Sequence, residues 1–302
     1  MHSTSIGLAI VAIALGAPLL LGLTGLVLAG RSNVDSQAAP LDWRVSVQSG
    51  LLYAIAFNLT FFIQELFLVV PKALTPGLRP TLYHNNHRWE GDHPLEYLFQ
   101  GTGALAILLS GLIFVGLLRS GRLRSGNARL FGLWMAYHGL FQSLPQVASV
   151  PLSPGTDVAL AFDYLGIEGN ARLAAAFAAV GAMAAAGLWL TRHLLGLAVS
   201  RDQIAAPGAR TGFAFRLATL PAFAAIPLII LYRVPRELIE VIAPPIAVTL
   251  VGILWLQCNA WRVADAAPAG DPPSGAIRGP LLAAALLLAV FQLVLRPGIP
   301  FY

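Results

Sequence analysis

Three of the chain's six histidines, His84, His87 and His93, fall within the stretch YHNNHRWEGDH (83–93), beside Glu90 and Asp92. Imidazole and carboxylate side chains together suit zinc, iron, copper or manganese, so a transition-metal site is one chemistry this stretch could serve. His84, His87 and Glu90 are spaced by three, which would align them on one side of a helix. The same stretch also carries Asn85, Asn86, Gly91 and Asp92, residues that favour chain reversal, and no HExxH spacing occurs in it. It is therefore either a set of ligands or a polar cap. Trp89 within it reads as an interfacial anchor.

A second group of candidates lies inside apolar runs, where ionisable groups are expensive and mark either a function or a buried partner. In YAIAFNLTFFIQELFLVVPKAL, Asn58 and Glu65 are seven apart and share a helical face, with Gln64 adjacent. In LWMAYHGLFQSLPQVASV, His138 and Gln142 are four apart, Gln146 is one turn further, and Pro145 frees a backbone carbonyl. Gln100 and Thr102 begin the next apolar run at similar depth. Glu65, His138, Gln142 and Gln100 are expected to meet in one polar pocket, with Glu65 and His138 as the candidates for proton or catalytic chemistry. The amides also suit plain interhelical hydrogen bonding. His193, beside Arg192, reads as an interfacial, solvated residue; a bis-histidine haem with His138 would need matching depth, and His138 lies further outward.

The elements that must position these groups follow from composition. Of 302 residues, 57% are hydrophobic and 11% charged, well below the roughly 25% charged of ordinary soluble domains. Apolar stretches near 6–29, 49–70, 98–118, 130–150, 172–191, 214–232, 239–258 and 279–295 are each about long enough to cross the hydrocarbon core. Backbone groups in lipid must be satisfied internally, so the expected fold is all-α, a polytopic transmembrane bundle of about eight spans in contact with the lipid bilayer. The first run reads as an uncleaved helix despite the small residues VLAG at 27–30, because it is long and no lysine or arginine precedes it. A single cysteine, Cys258, excludes an intrachain disulfide.

Charge by loop gives the expected orientation. The loop RSGRLRSGNAR (119–129) holds Arg119, Arg122, Arg124 and Arg129 with no acid, and the next basic loop holds Arg192, Arg201 and Arg210 against Asp202. The positive-inside bias places both in the cytoplasm of a bacterial-type inner membrane, with 71–97, 151–171, 233–238 and both termini outside. Trp43, Trp255 and Trp261 then fall near the inner interface. No basic cluster interleaved with aromatics suggests a nucleic-acid partner. The Pro/Gly/Ala-rich segment 262–279 looks like a flexible inner loop, leaving 213–302 as a C-terminal three-span appendage to core spans in 50–195.

The run from FFIQELFLVV through QGTGALAILLSGLIFVGLL to SPGTDVALAFDYLGIEGNARLAAAFAAVG (within 50–195) resembles the membrane core of site-two-type intramembrane zinc metalloproteases and of bacterial membrane proteins that keep that core. The resemblance implies HExxH on one span, a Gly-rich entry to the next, and an aspartate from a later segment completing a zinc site. On this sequence Glu65 of QELFL matches the general-base glutamate, while Gln64 and Leu68 stand where two histidines would be. Asp157, or less well Asp163, stands at the third ligand position. Catalytic zinc needs three strong protein ligands and an open position, which glutamine and leucine do not supply.

Three functions are consistent with these residues. The first is a non-proteolytic relative of those metalloproteases, binding a lipid or membrane-protein partner in its polar notch. The second is a metal-binding enzyme or redox subunit whose ligands come from His84, His87, Glu90, His93 and Asp157. The third is a carrier of protons or small solutes using Glu65 and His138 as a relay, although paired broken spans and a clear internal repeat are lacking.

Overall fold

The computed structural model describes residues 7, 9–31 and 41–302. Residues 1–6, on which the expected outward placement of the N-terminus rests, lie outside that set. Seven helices are long and apolar enough to cross a membrane: α1 (Ala9–Leu28), α2 (Trp43–Ala73), α3 (Glu96–Arg119), α6 (Gly169–Leu195), α7 (Pro207–Arg233), α8 (Leu238–Arg262) and α9 (Arg278–Leu295). The chain is a multi-pass membrane protein of mainly helical structure. An eighth long helix, α4 (Gly126–Ser149), was expected as a span and has the length of one. It is buried along most of its length, with α2, α3 and α6 packed against it. The short α5 (Asp157–Tyr164) follows it.

Helix α2 is the longest, with 31 residues, which is about 46 Å at 1.5 Å per residue against about 30 Å of hydrocarbon. Asp42 caps its start, accepting from the Arg44 amide at 2.9 Å, and its final turns, with Lys72, continue past Glu65 toward the loop 74–95. The core forms where aromatic residues of α2 and α4 meet: the Tyr53 and Trp134 rings pack edge to face at 4.9 Å. At Gly139 the crossing of α4 with α3 is backbone to backbone, since a Cβ there would lie 2.4 Å from the Cα of Gly111. Small residues permit such close approach where lipid supplies no hydrophobic drive.

Hydrogen bonds between helices tie the C-terminal part into this core. Ser49 Oγ donates to the Leu217 carbonyl at 2.6 Å and accepts from Trp134 Nε1 at 3.1 Å. Tyr53 and Thr249 hydroxyls pair at 2.8 Å, and Thr191 Oγ1 donates to Leu256 O at 2.7 Å. The 213–302 segment contributes Phe213, Leu217, Ile229, Trp255 and Leu256 to the same hydrophobic cluster as α2 and α4. Trp255, expected at the inner interface, is packed in that core, whereas Trp43 is exposed.

The loop 74–95 is not helical. It forms a hairpin of β1 (Arg79–Leu82) and β2 (His87–Glu90), and β3 (Ile299–Pro300) joins the other side of β1, giving an antiparallel sheet in the order β2-β1-β3. Gly91, at φ +96°, turns the chain out of β2 where a Cβ would meet the Gly77 carbonyl.

Candidate functional site

The strand geometry decides what the histidine-rich stretch does. Alternate residues of a strand face opposite ways, so His87 and Trp89 point one way and Arg88 and Glu90 the other. His87 and Trp89 stack with ring centroids 5.6 Å apart and planes 15° apart. Beneath them lies the face of α2 that carries Glu65 and, seven residues on, Lys72. His87 Nδ1 sits 2.9 Å from Glu65 Oε2, and His87 Nε2 sits 3.3 Å from Lys72 Nζ. An ammonium can only donate, so His87 Nε2 accepts from Lys72 and its Nδ1–H donates to the Glu65 carboxylate. A neutral imidazole thus bridges a cation and an anion.

Both ends of this chain are enclosed: Glu65 is 6% exposed and Lys72 0%. Buried charges persist where they are paired and hydrogen-bonded, and here the pairing is extended. Lys72 Nζ also donates to its own helix at Leu68 O, 2.9 Å, and lies 4.5 Å from the Trp89 ring centroid. Trp89 Nε1 donates to Glu96 Oε2 at 3.2 Å. Asp157, in the first turn of α5, stands close to Glu65, His87 and Lys72. Burial raises its carboxyl above the usual range and Glu65 adds to the rise, while Lys72 opposes it. Glu65 and Asp157 therefore share one neighbourhood.

The other polar groups form a separate network. His138 Nε2 lies 3.2 Å from the Tyr53 carbonyl and must donate to it, leaving Nδ1 to accept from Gln142 Nε2 at 3.3 Å. Gln142 also donates to Phe57 O at 3.3 Å, and Gln146 donates to Gln64 Oε1 at 3.0 Å and to Gln142 O at 2.8 Å. Rings of Tyr53, Phe57 and Tyr137 enclose the imidazole. The expected single pocket of Glu65 with His138 is thus divided in two. Gln64 and Glu65 are adjacent in sequence, yet they leave the helix about 100° apart, one toward α4 and the other toward the hairpin. Asn58 bonds back to Ala54 O at 2.8 Å, and Gln100 is buried near α2 with its Oε1 unpartnered among the described residues.

The proposed metal ligands are dispersed. Among the described residues no three His, Cys, Asp or Glu side chains are gathered as a metal ion requires. Glu90 faces away from His87 along the strand, because the segment has a period of two and not the helical spacing that would align them. His93 Nδ1 accepts from the Leu95 amide at 3.2 Å, and His84, in the hairpin turn, is buried elsewhere. Gln64 and Leu68 are likewise committed, the first to Gln146 and the second to packing. His193 packs on Trp189 at the opposite end of the bundle, at 3.8 Å between centroids.

Lys72 is the buried ionisable residue of this site that sequence reasoning missed. Its signal was a lysine within an otherwise apolar run, two helical turns after the glutamate.

Pro145 and the amides do border a cavity. A space of about 400 Å³ opens between α2, α4 and α8, with Gln64, Gln142 and Gln146 on one wall and Phe57, Phe61 and Val248 among its apolar lining. No protein-family model matches this sequence, and neither a curated protein nor a solved structure does.

Proposed function

We propose that this membrane protein is a non-proteolytic binder of membrane lipid, with the metalloprotease-like core of residues 50–195 adapted to hold an apolar chain in the cavity between α2, α4 and α8. The observation that carries this reading is the cavity itself, mainly apolar, with Gln64, Gln142, Gln146 and Ser149 as its polar lining. Among the described residues Gln64 makes one side-chain bond, through its Oε1, so its amide N–H₂ can donate to an ester carbonyl. Zinc hydrolysis does not fit the donors: the residues at the two histidine positions are an amide and an alkyl group, and His87 is occupied by Glu65 and Lys72. The nearness of Glu65 and Asp157 supports the likeness to the metalloprotease core without supplying its ligands.

Native mass spectrometry of the purified protein tests the proposal. The wild type is expected to retain lipid, and Ala247→Trp, which fills the cavity from its exposed side, to lose most of it while staying folded. Equal lipid in both proteins, or none in the wild type, overturns the reading.

In the same reading the hairpin faces outward and the arginine loops face the cytoplasm. Support comes from α3, which starts beside the hairpin and ends at Arg119, so the two lie at opposite ends of one span. A cysteine introduced at Asn86 is expected to react with an impermeant thiol reagent on intact cells, and one at Ser120 only after lysis; the reverse pattern inverts the orientation.

A second reading is favoured by the unbroken sequence of Lys72, His87 and Glu65, which has the connectivity of a proton relay. Proteoliposome flux that depends on pH and vanishes in Glu65→Gln is its expected result, and unchanged flux removes it.

A further inference from the structure

On the far side of the hairpin turn a second cavity, of about 430 Å³, lies between that turn, the α7–α8 connection and the end of α9. Arg88 of β2, Arg236 of the connection and Arg296 after α9 bring three guanidinium groups to it from distant parts of the chain. His84 lines the same cavity. It is 6% exposed, and neither of its ring nitrogens makes a hydrogen bond of good geometry among the described residues, although the Arg233 carbonyl is close by. A buried imidazole so poorly satisfied is costly, and it marks a place where a ligand can complete the bonding.

The cavity is held in shape by its surroundings. Tyr83 N donates to Asn86 O at 2.8 Å across the turn, and Asn85 Nδ2 donates to Arg233 O at 2.7 Å, fixing the turn to the end of α7. Arg236 is paired with Glu240 and also reaches Asn85 Oδ1 at 3.5 Å. That pairing neutralises Glu240 and leaves Arg88 and Arg296 against Glu237. Neither Arg88 nor Arg296 has an ion-pair or side-chain hydrogen-bond partner among the described residues, and both are exposed. Behind them Arg233 is buried, with Nε and Nη1 unpartnered, and its charge reaches His84. The field in the cavity is therefore positive. Burial depresses the His84 pKa, the Arg233 carbonyl opposes it, and the charges of Arg296, Arg236 and Arg233 each add a smaller depression. The neutral ring offers one N–H donor.

We infer that this cavity is a binding site for a phosphate group, held by Arg88, Arg236 and Arg296 with a hydrogen bond from His84. Guanidinium forks match phosphate oxygens bidentately, and the cavity has room for a phosphate ester rather than a bare carboxylate alone. Exposed Leu238, Ile239 and Leu293 lie at the span ends bordering it, which gives a lipid headgroup access as well as free phosphate. The site is distinct from the cavity between α2, α4 and α8, and stands or falls separately.

The test uses the full-length protein in detergent with two probes. Radiolabelled inorganic phosphate is measured by equilibrium dialysis. Phosphatidic acid is compared with diacylglycerol of the same acyl chains by native mass spectrometry. Selective retention of phosphatidic acid, saturable phosphate binding, or both is expected, and which probe binds identifies the source as headgroup or solute. The Arg88→Gln/Arg296→Gln double variant is expected to weaken the positive probe at least tenfold with an unchanged melting temperature, since those exposed side chains make no ion pair or side-chain hydrogen bond among the described residues. His84→Phe is expected to weaken it severalfold; if that variant does not fold, the arginine pair still decides. No binding of either probe by the wild type, or equal binding by the double variant, overturns the inference.

Discussion

On one side of α2, Glu65 and Lys72 carry full charges into the interior; about 100° around the same helix, Gln64 meets a ladder of neutral groups on α4. The ladder is completed locally. Its donors and acceptors sit one turn apart on α4 or are carbonyls of the facing helix, at Tyr53 and Phe57. The charged side needs a third element: without His87 from β2 the carboxylate and the ammonium would have no bridge. Neutral amides can be satisfied by helices that already touch, whereas buried ions require a purpose-built roof.

The comparison can be broken first at the charges. Glu65→Ala leaves Lys72 buried with its chain cut, and is expected to cost on the order of 3–5 kcal/mol in an unfolding titration. The Glu65→Leu/Lys72→Met double variant should lose much less than the sum of its single changes, because it removes both ions together. If the losses add, the two charges are not coupled through His87. Gln142→Leu, on the ladder side, orphans one imidazole nitrogen and is expected to cost about 1 kcal/mol.

The smallest effect separates the two sides by pH. Asp157 has its pKa raised in the fold, by burial first and then by Glu65. A carboxyl raised this way contributes stability that is complete below its ordinary value of about 3.9 and is lost as pH rises through the folded value. Asp157→Asn stays uncharged throughout, so its melting temperature should fall less than that of the wild type between about pH 4 and 7. Matching pH profiles would place Asp157 outside the charged network.

Much of the architecture was legible because hydrocarbon imposes a simple rule on length and composition: the apolar runs predicted from the sequence overlie the spans, and α2 simply runs further at both ends. Azimuth was less legible. Depth along the membrane puts Glu65 and His138 together, but which way each side chain leaves its helix depends on how α2 and α4 are rotated against each other, and that is set by contacts such as Tyr53 on Trp134. The hairpin stayed undecided between ligands and cap because a spacing of three is meaningful only on a helix, while Asn85, Asn86 and Gly91 favoured turns. Lys72 escaped notice for a related reason. Within an apolar run it looks like the end of a span, and only the partner arriving from β2 shows that it belongs with Glu65.

The roof over Glu65 has a history written into its pairing. Thr81 and Leu82 of β1 are matched with Pro300 and Ile299 of β3, more than two hundred residues later in the chain. A two-stranded hairpin is marginal alone, and its third strand does not exist until α9 has been synthesised. The hairpin that covers the charged chain therefore gains its third strand only after α9. Completion of the sheet depends on α9 having reached its place.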